Sequence, residues 1–327
     1  MDPSQRARLN AAKLKVLAKS AGAAELTPLG FPGGAAASGD RTFWVLGDEI
    51  GANVLGPALM VALRADPPVE RLVAITDDAN DAAVVARRAA QFARPATIDV
   101  ASVTGTTLTF CASAATSDVA AHAQNELNEF ADVIRAAGAE AVWEHGVLTA
   151  EVRGLEIARV EHGELAVGVG KHDREGHRMA NADRDPAAAL LALADRVRLE
   201  RTADAPAGLM TSVGRERWLR SIVIAHPDMV GATELAAVQP PLPRVDLRAT
   251  SIAPAVGEGI VVACSVGIDP NLVPAAADVR AQHGRDSELV LVVPEGDDAP
   301  STHLLASALK RPARVVTVPG NWPALGD

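Results

Sequence analysis

An α/β protein built from two related halves around a mixed insertion is what this sequence predicts, and three observations carry that prediction. Sliding residues 43–100 by 217 positions onto 260–317 needs no gap and leaves twelve identities, among them Val45, Leu55, Pro57, Leu72, Val73 and the triplet Arg94-Pro95-Ala96. About five would be expected by chance in so Ala-rich a chain. Within each copy, apolar strand-like runs alternate with helix-length runs, the grammar of a βαβαβ unit with a parallel sheet. Between the copies the character changes to alternating apolar and polar residues with hairpin turn signals. The predicted organisation is a first unit over 1–104, a central helix-hairpin-helix insertion over 105–243 and a second unit over 244–327.

Each element has its own justification. The opening stretch "SQRARLNAAKLKVLAKSAG" is an amphipathic helix with Leu9, Ala12, Val16 and Leu17 on one face, which predicts that this face packs and that Arg6, Arg8, Lys13, Lys15 and Lys19 are solvated. "GFPGG" precedes a strand and reads as a turn. "TFWVLGD" and "GIVVACS" are buried strands, "VLGPALMVALRA" and "NLVPAAADVRAQ" helices, and "RLVAIT" and "ELVLVV" second strands. A second helix in each copy ends near "RPA", where proline stops the helix and turns the chain into a third strand. In the middle, "SDVAAHAQNELNEFADVIRAAG" opens on a cap signal and closes on Gly138, so it is a helix. "AEAVWEHGVLTAEVRGLEIARVEHGELAVGVG" reads as strands joined by hairpins; the helices "PAAALLALADRVRLERT" and "GRERWLRSIVIAHPDM" follow before the linker "QPPLPR". Duplicated halves are expected to bury their faces against each other.

With 327 residues, 48% of them hydrophobic and 22% charged, the chain can bury a sizeable core in two or three structural units. Its net charge of −10 argues against a broad electrostatic grip on nucleic-acid backbones. Cys111 and Cys264, the two cysteines, lie in apolar strand-like runs and are expected to be buried free thiols in a reducing compartment. Without a signal-peptide pattern or an apolar run of about 18 residues, the expected location is the cytoplasm, with no membrane partner.

Ligands of parallel α/β sheets bind beyond the carboxyl ends of the strands. Those ends carry Asp48 and Glu49, then Asp77, Asp78 and Asp81, in the first copy. In the second they carry Ser265 and Asp269, then Glu295, Asp297 and Asp298. Asp48, Asp77 and Asp78 are the candidate ligands for Mg²⁺, which prefers hard oxygen donors; the plainer reading makes them helix caps and dipole partners. No G-x-G-x-x-G follows the first strand and no G-x-x-x-x-G-K-[ST] occurs, which removes the usual phosphate cradles. "GVGKHDREGHR" gathers Lys171, His172, Asp173, Glu175 and His177, residue types that bind metals but here at no recognised spacing, so a solvated loop is the plainer reading. In "AEVRGLEIARVEHG", alternation places Glu151 and Arg153 on one face, and Glu156 and Arg159 on opposite faces unless Gly154 makes a bulge. Cross-strand ion pairs account for all four without catalysis.

The last third, "PRVDLRATSIAPAVGEGIVVACSVGIDPNLVPAAADVR" and then "LVLVVPEGDDAPSTHLLASALKRPARVVTV", resembles the core of the PD-(D/E)XK restriction-like nuclease superfamily. There an Asp-bearing strand pairs with a strand carrying E-x-K, followed by helix, strand and helix, and Asp246 matches that Asp. The E-x-K positions hold Ala263, Cys264 and Ser265, and the first copy also lacks the pair in "WVLGDE". The middle segment repeats the helix-hairpin-strand order with Glu129, Glu156 and Lys171. The resemblance thus implies a Rossmann-like or restriction-endonuclease-like fold, descended from nucleic-acid processing, with catalysis lost or confined to Glu156, Lys171, His172 and Asp173. The expected function is a degenerate nuclease-like factor that binds or scaffolds nucleic acid, with the Arg-rich "RERWLR" as a contact. The alternatives are a Mg²⁺-dependent enzyme or sensor for a small phosphorylated or nucleotide-like ligand, and a structural interaction protein. A homo-oligomer is compatible with each.

Overall fold

A computed structural model describes residues 2–112, 128–180 and 185–326, and among these the protein is α/β with ten α-helices and three sheets. The first unit runs α1 (Pro3–Ser20), β1 (Thr27–Leu29), β2 (Gly34–Gly39), β3 (Thr42–Gly47), α2 (Leu55–Arg64), β4 (Arg71–Thr76), α3 (Ala79–Ala89), β5 (Thr97–Thr104) and β6 (Thr107–Phe110). Its six strands lie in sequence order; β3, β4 and β5 are parallel, and β1, β2 and β6 are antiparallel additions. The sheet is therefore mixed. The Ala-rich β2 gives little strand signal of its own; it pairs because β3 beside it is aromatic, β-branched and fully committed to the core. "GFPGG" is the turn between β1 and β2.

Helix α1 lies on the outer face of this sheet, but rotated from expectation. Asn10, Leu14, Leu17 and Ala18 are buried against Trp44, Leu46, Val73 and Ile75, while Leu9, Ala12 and Val16 face outward. Two apolar stripes compete on this helix, and the one with two leucines in register with the sheet wins. Nor are all its cations solvated, since Arg6 pairs with Asp48 and Glu49, and Lys13 with Asp77.

The central unit is described from α4 (Asn128–Ala136); the Ser-Asp cap signal lies outside the described residues. Strands β7 (Glu140–Glu144), β8 (Val147–Val152), β9 (Leu155–Glu161) and β10 (Glu164–Val167) form an antiparallel meander. Its three turns are His145-Gly146, Arg153-Gly154 and His162-Gly163, every residue at positive φ, as two-residue type I′ hairpins require. Helices α5 (Gly170–Ala180), α6 (Pro186–Glu200), α7 (Leu209–Ser212) and α8 (Arg215–Ala225) follow. Leu148, Ala150, Ile157 and Ala158 pack under Ile134 of α4 and Leu190, Ala194 and Val197 of α6. The "KHDREGHR" stretch is thus helical, α5, in place of the expected loop.

The second unit comprises β11 (Ala236–Ala237), β12 (Ala253–Gly257), β13 (Ile260–Cys264), α9 (Leu272–His283), β14 (Glu288–Pro294), α10 (Pro300–Ala308) and β15 (Arg314–Val318). The strands again lie in order, β11, β12 and β13 antiparallel, then β13, β14 and β15 parallel. Helix α8 covers its outer face with Trp218, Leu219, Ile222 and Val223, as α1 covers the first sheet. Asp246 lies in the loop before β12 and not on a strand.

The two units meet through α2, α3, α9 and α10, which share one core with the inner faces of β3, β4, β13 and β14. At the seam, Phe92 and Leu309 form an isolated antiparallel bridge, and these residues stand 217 positions apart. Around it the Ala93 N–H donates to the Ala308 carbonyl and the Lys310 N–H to the Gln91 carbonyl, both at 2.9 Å. Helices α3 and α10 therefore end at Ala89 and Ala308, ahead of the Arg-Pro pairs, because the next residues are taken by each other; the proline only directs the exit to β5 and β15. Gly56 permits this close approach. A Cβ there would stand 2.3 Å from the Pro270 carbonyl oxygen, and the Gly56 N–H donates to Asn271 Oδ1 at 3.1 Å. Among the described residues no helix is long and apolar enough to cross a membrane.

Candidate charged cleft of the central unit

Glu156 stands at the centre of the richest charged site, and a register slip puts it there. Thr149 faces Arg159 and Ala150 faces Ala158, but Glu151 faces Glu156, so β9 carries one residue more than β8 at this point. The irregularity sits at Ala150/Glu151, not at Gly154, which is fully occupied as a turn: a Cβ there would stand 2.2 Å from the Trp218 nitrogen of α8. The slip brings Glu156 and Arg159 to the same side, with Nε to Oε1 at 2.6 Å. Arg174 of α5 adds a contact at 3.3 Å, and Arg244 of the linker reaches Oε2 at 3.3 Å. Burial raises the Glu156 carboxyl, but the hydrogen bond and charge of Arg159, with Arg244 and Arg217, outweigh it and hold the group below its usual range.

Around this carboxylate lies a cleft of about 610 Å³. Its lining includes apolar side chains, Leu155, Val169, Leu209, Val213 and Val245, and charged ones, Arg159, Lys171, Arg174, Arg178 and Arg217 with Glu156, Glu161 and Glu175. Five cations thus face three carboxylates in a chain of net charge −10. Arg178 is exposed and makes no ion pair among the described residues.

Of the residues that sequence reasoning assigned to catalysis, Glu156 and Lys171 line this cleft, and the other two do not. Lys171 is 79% exposed and 3.9 Å from Glu175; His172 is 98% exposed. Asp173 accepts the Val169 N–H at 2.7 Å, the role of a helix-opening cap. Glu129, at the start of α4, is exposed.

The strand-end carboxylates of the first unit are also engaged. Asp48 takes Arg6 at 3.0 Å and the Asn10 amide at 2.9 Å, and Asp77 takes Lys13 at 2.5 Å. Asp78 caps α3 by accepting the Asn80 and Asp81 N–H groups. Over this edge Arg248 clamps Asp246, whose carboxyl it holds down to about 2, and stands 4.0 Å from Asp81. In the second unit Asp297 accepts the Gly267 N–H at 2.6 Å, Asp269 the Asn271 N–H at 2.7 Å, and Asp298 pairs with His303 at 2.6 Å. Among the described residues no three His, Cys, Asp or Glu side chains gather as a metal set. The metal of the restriction-like family finds no fit either: Asp246 is bound to Arg248, and the E-x-K positions bring Ala263, Cys264 and Ser265, with Cys264 fully buried and its thiol pushed up to about 12 by burial. Cys111 is only half-buried.

"RERWLR" turns inward. Arg220 is fully buried and bonds Glu151 at 3.0 Å and Glu144 at 3.2 Å; Arg217 pairs with the other Glu151 oxygen. Arg201, also fully buried, donates to the carbonyls of Arg153, Met210 and Gly214, and its guanidinium lies 4.4 Å over the Trp218 ring. Arg217 and Arg220 thus commit their charge to Glu151 and Glu144, although Arg217 also reaches the lining of the cleft and Arg215 of the same run is exposed. Sequence reasoning missed this network because its partners are 66 to 76 positions apart.

Glu140 stands opposite Glu151 in the β7–β8 pair, and burial, then the Glu151 charge, push its carboxyl up to about 7 against the counter-pull of Arg220. A carboxyl raised in the folded state binds its proton more tightly there, so its contribution to stability is complete below the unfolded value of 4.5 and is lost as pH rises through 7. Urea midpoints are expected to fall across that window, and the Glu140→Gln variant to lose the slope. An unchanged slope in the variant would assign it to another group.

Fold and site together define an α/β protein with a cation-rich cleft on its antiparallel central sheet. Compared with family models, curated proteins and solved structures, the chain finds no match.

Proposed function

We propose that this protein is a non-hydrolytic binding factor, a duplicated nuclease-like scaffold whose central cleft takes a phosphate group carried on an apolar base or ring. The observation that carries this reading is the cleft itself, with its excess of cations, an Arg178 that makes no ion pair among the described residues, and apolar side chains in the same lining. A phosphate gains charge-assisted hydrogen bonds from guanidinium groups, and the apolar lining of Leu155, Leu209, Val213 and Val245 receives the attached base. Three guanidiniums already neutralise Glu156, which removes it as a base or metal ligand and leaves it to hold Arg159 and Arg174 in place. Duplication is supported by the same strand order and pairing senses in both units, by the matching outer helices α1 and α8, and by the bridge between Phe92 and Leu309.

The phosphate comes either from single-stranded nucleic acid or from a free nucleotide, and thermal-shift titrations with short single-stranded DNA and RNA and with nucleoside mono- and triphosphates separate these sources. Stabilisation by one of them without divalent metal is expected, with affinity falling about tenfold or more in an Arg178→Glu, Lys171→Glu double variant. Mg²⁺- or Mn²⁺-dependent hydrolysis that disappears in Glu156→Gln would overturn the proposal, and so would silence toward every phosphate ligand.

A further inference from the structure

The charge of the central cleft has a definite size. Among the described residues of its lining, five cations exceed three carboxylates by two. Following the ion pairs outward leaves that surplus unchanged, because they add Arg220 and Arg244 together with Glu144 and Glu151. Glu140, the further carboxyl beside Glu151, is pushed up to about 7 by burial and then by the Glu151 charge, so near neutral pH it offsets only part of one charge. The geometry gives the same number. Lys171, Arg174 and Arg178 recur at spacings of three and four residues and so share one face of α5. Arg174 fixes where that face looks: it stands 3.3 Å from Glu156 and 3.5 Å from Glu161, both on β9. Arg159 and Arg174 are taken up by those two carboxylates. The cations on either side of Arg174 are not, since Arg178 makes no ion pair among the described residues and Lys171, 79% exposed, has Glu175 no nearer than 3.9 Å.

Resting on the reading of this cleft as a phosphate site, we propose that its ligand is a phosphate monoester, a doubly charged terminal group, and not a singly charged phosphodiester within a chain. A dianion matches the surplus of two. Its three acceptor oxygens, one more than a diester offers, can serve Lys171 and Arg178 together. A chain of phosphates running on past Arg178 is disfavoured as well. The adjoining recess of about 670 Å³, which shares Arg174 and Arg178 with the cleft, adds Glu164 and Asp185 to its lining, so a further phosphate there would meet carboxylates. A terminal phosphate ends before them, and the rest of its molecule leaves by way of Leu209, Val213 and Val245.

Calorimetric titration of the full chain at neutral pH and constant low salt tests this with two pairs of probes. Adenosine 5′-monophosphate and adenosine 3′,5′-cyclic phosphate keep the same base and sugar and differ in the second phosphate charge; a short oligonucleotide with and without a 5′-phosphate forms the other pair. The monoester is expected to bind about tenfold or more tighter than its counterpart, and the tighter of the two monoesters tells a free nucleotide from a strand end as the source. In the Lys171→Gln, Arg178→Gln double variant, whose melting temperature should match that of the parent, the monoester is expected to fall to the affinity of the diester. Equal affinities within both pairs, or tighter diesters, would overturn the proposal and leave the cleft a phosphate site, whereas no binding of any probe would remove both. A preference for the monoester that survives undiminished in the double variant would also overturn it, by placing the dianion away from α5.

Discussion

The Glu151→Ala variant is expected to lose about 3–5 kcal/mol of unfolding free energy, the cost of leaving buried charges without their partner. Glu151 is fully buried on β8, and its two oxygens serve two arginines of α8: fully buried Arg220 at 3.0 Å, and Arg217, itself 8% exposed. Arg220 keeps Glu144 at 3.2 Å, but Arg217 has no second carboxylate bridge to fall back on among the described residues. Burial alone would lower the Arg220 pKa, and the charges of Glu151 and Glu144 reverse that. The pair also ties the central sheet to the helix that covers the second sheet, so urea unfolding is expected to split into two transitions, the central unit first. A Glu151→Leu, Arg220→Met double variant should recover much of the loss, since an apolar pair of similar volume carries no desolvation cost. A loss below about 1 kcal/mol in the alanine variant would mean that water screens these charges, as it does at a surface.

The second large effect is expected at the seam between the first and second units. Asp278 on α9 is fully buried and grips Arg87 of α3 with two bonds, 2.6 and 2.7 Å, while Arg88, 2% exposed, stands 3.7 Å away. In Asp278→Asn the shape is kept and the charge removed, which leaves two guanidiniums in the core of the seam with nothing to compensate them. A loss of about 3–5 kcal/mol is expected by chemical denaturation. Arg88 Nε and Nη1 have no hydrogen-bond partner among the described residues and Nη2 reaches only the Arg248 carbonyl, at 3.4 Å, so little else is there to hold its charge. An Arg87→Met, Arg88→Met, Asp278→Leu variant that is no more stable than Asp278→Asn would show that packing, and not the buried charge, sets the loss.

Neither network stood out in the sequence. At the shift of 217 positions Asp278 corresponds to Val61, so the internal sequence match gives no hint that this position carries an interface charge. "RERWLR" invites a reading as a surface for phosphate because a run of arginines is usually solvated. Whether a given arginine faces water or a carboxylate depends on which distant strand lies over its helix, and helical spacing does not encode that.

The strands, by contrast, were legible. β3, β4, β13 and β14 are runs of aliphatic and β-branched residues buried on both faces, and their burial shows in composition alone. The central hairpins were legible for a local reason: His-Gly and Arg-Gly pairs at regular spacing supply the positive φ angles that two-residue turns need. β2 was not, since alanines carry no strand preference and pair there only because β3 presents an open edge.

What the sequence by itself determined, then, is the α/β class, the buried strands and the central hairpins, because these rest on side-chain period and turn chemistry, both local along the chain. Only the tertiary structure decided the use of each charge. It turned Asp48, Asp77 and Asp78 into partners of α1 and a helix cap, buried Arg217 and Arg220, and gathered Arg159, Arg174 and Arg178 at one cleft. The physical reason is that a charge is stabilised by whatever lies within a few ångströms of it in space, and in this chain those neighbours come from segments tens to hundreds of residues away.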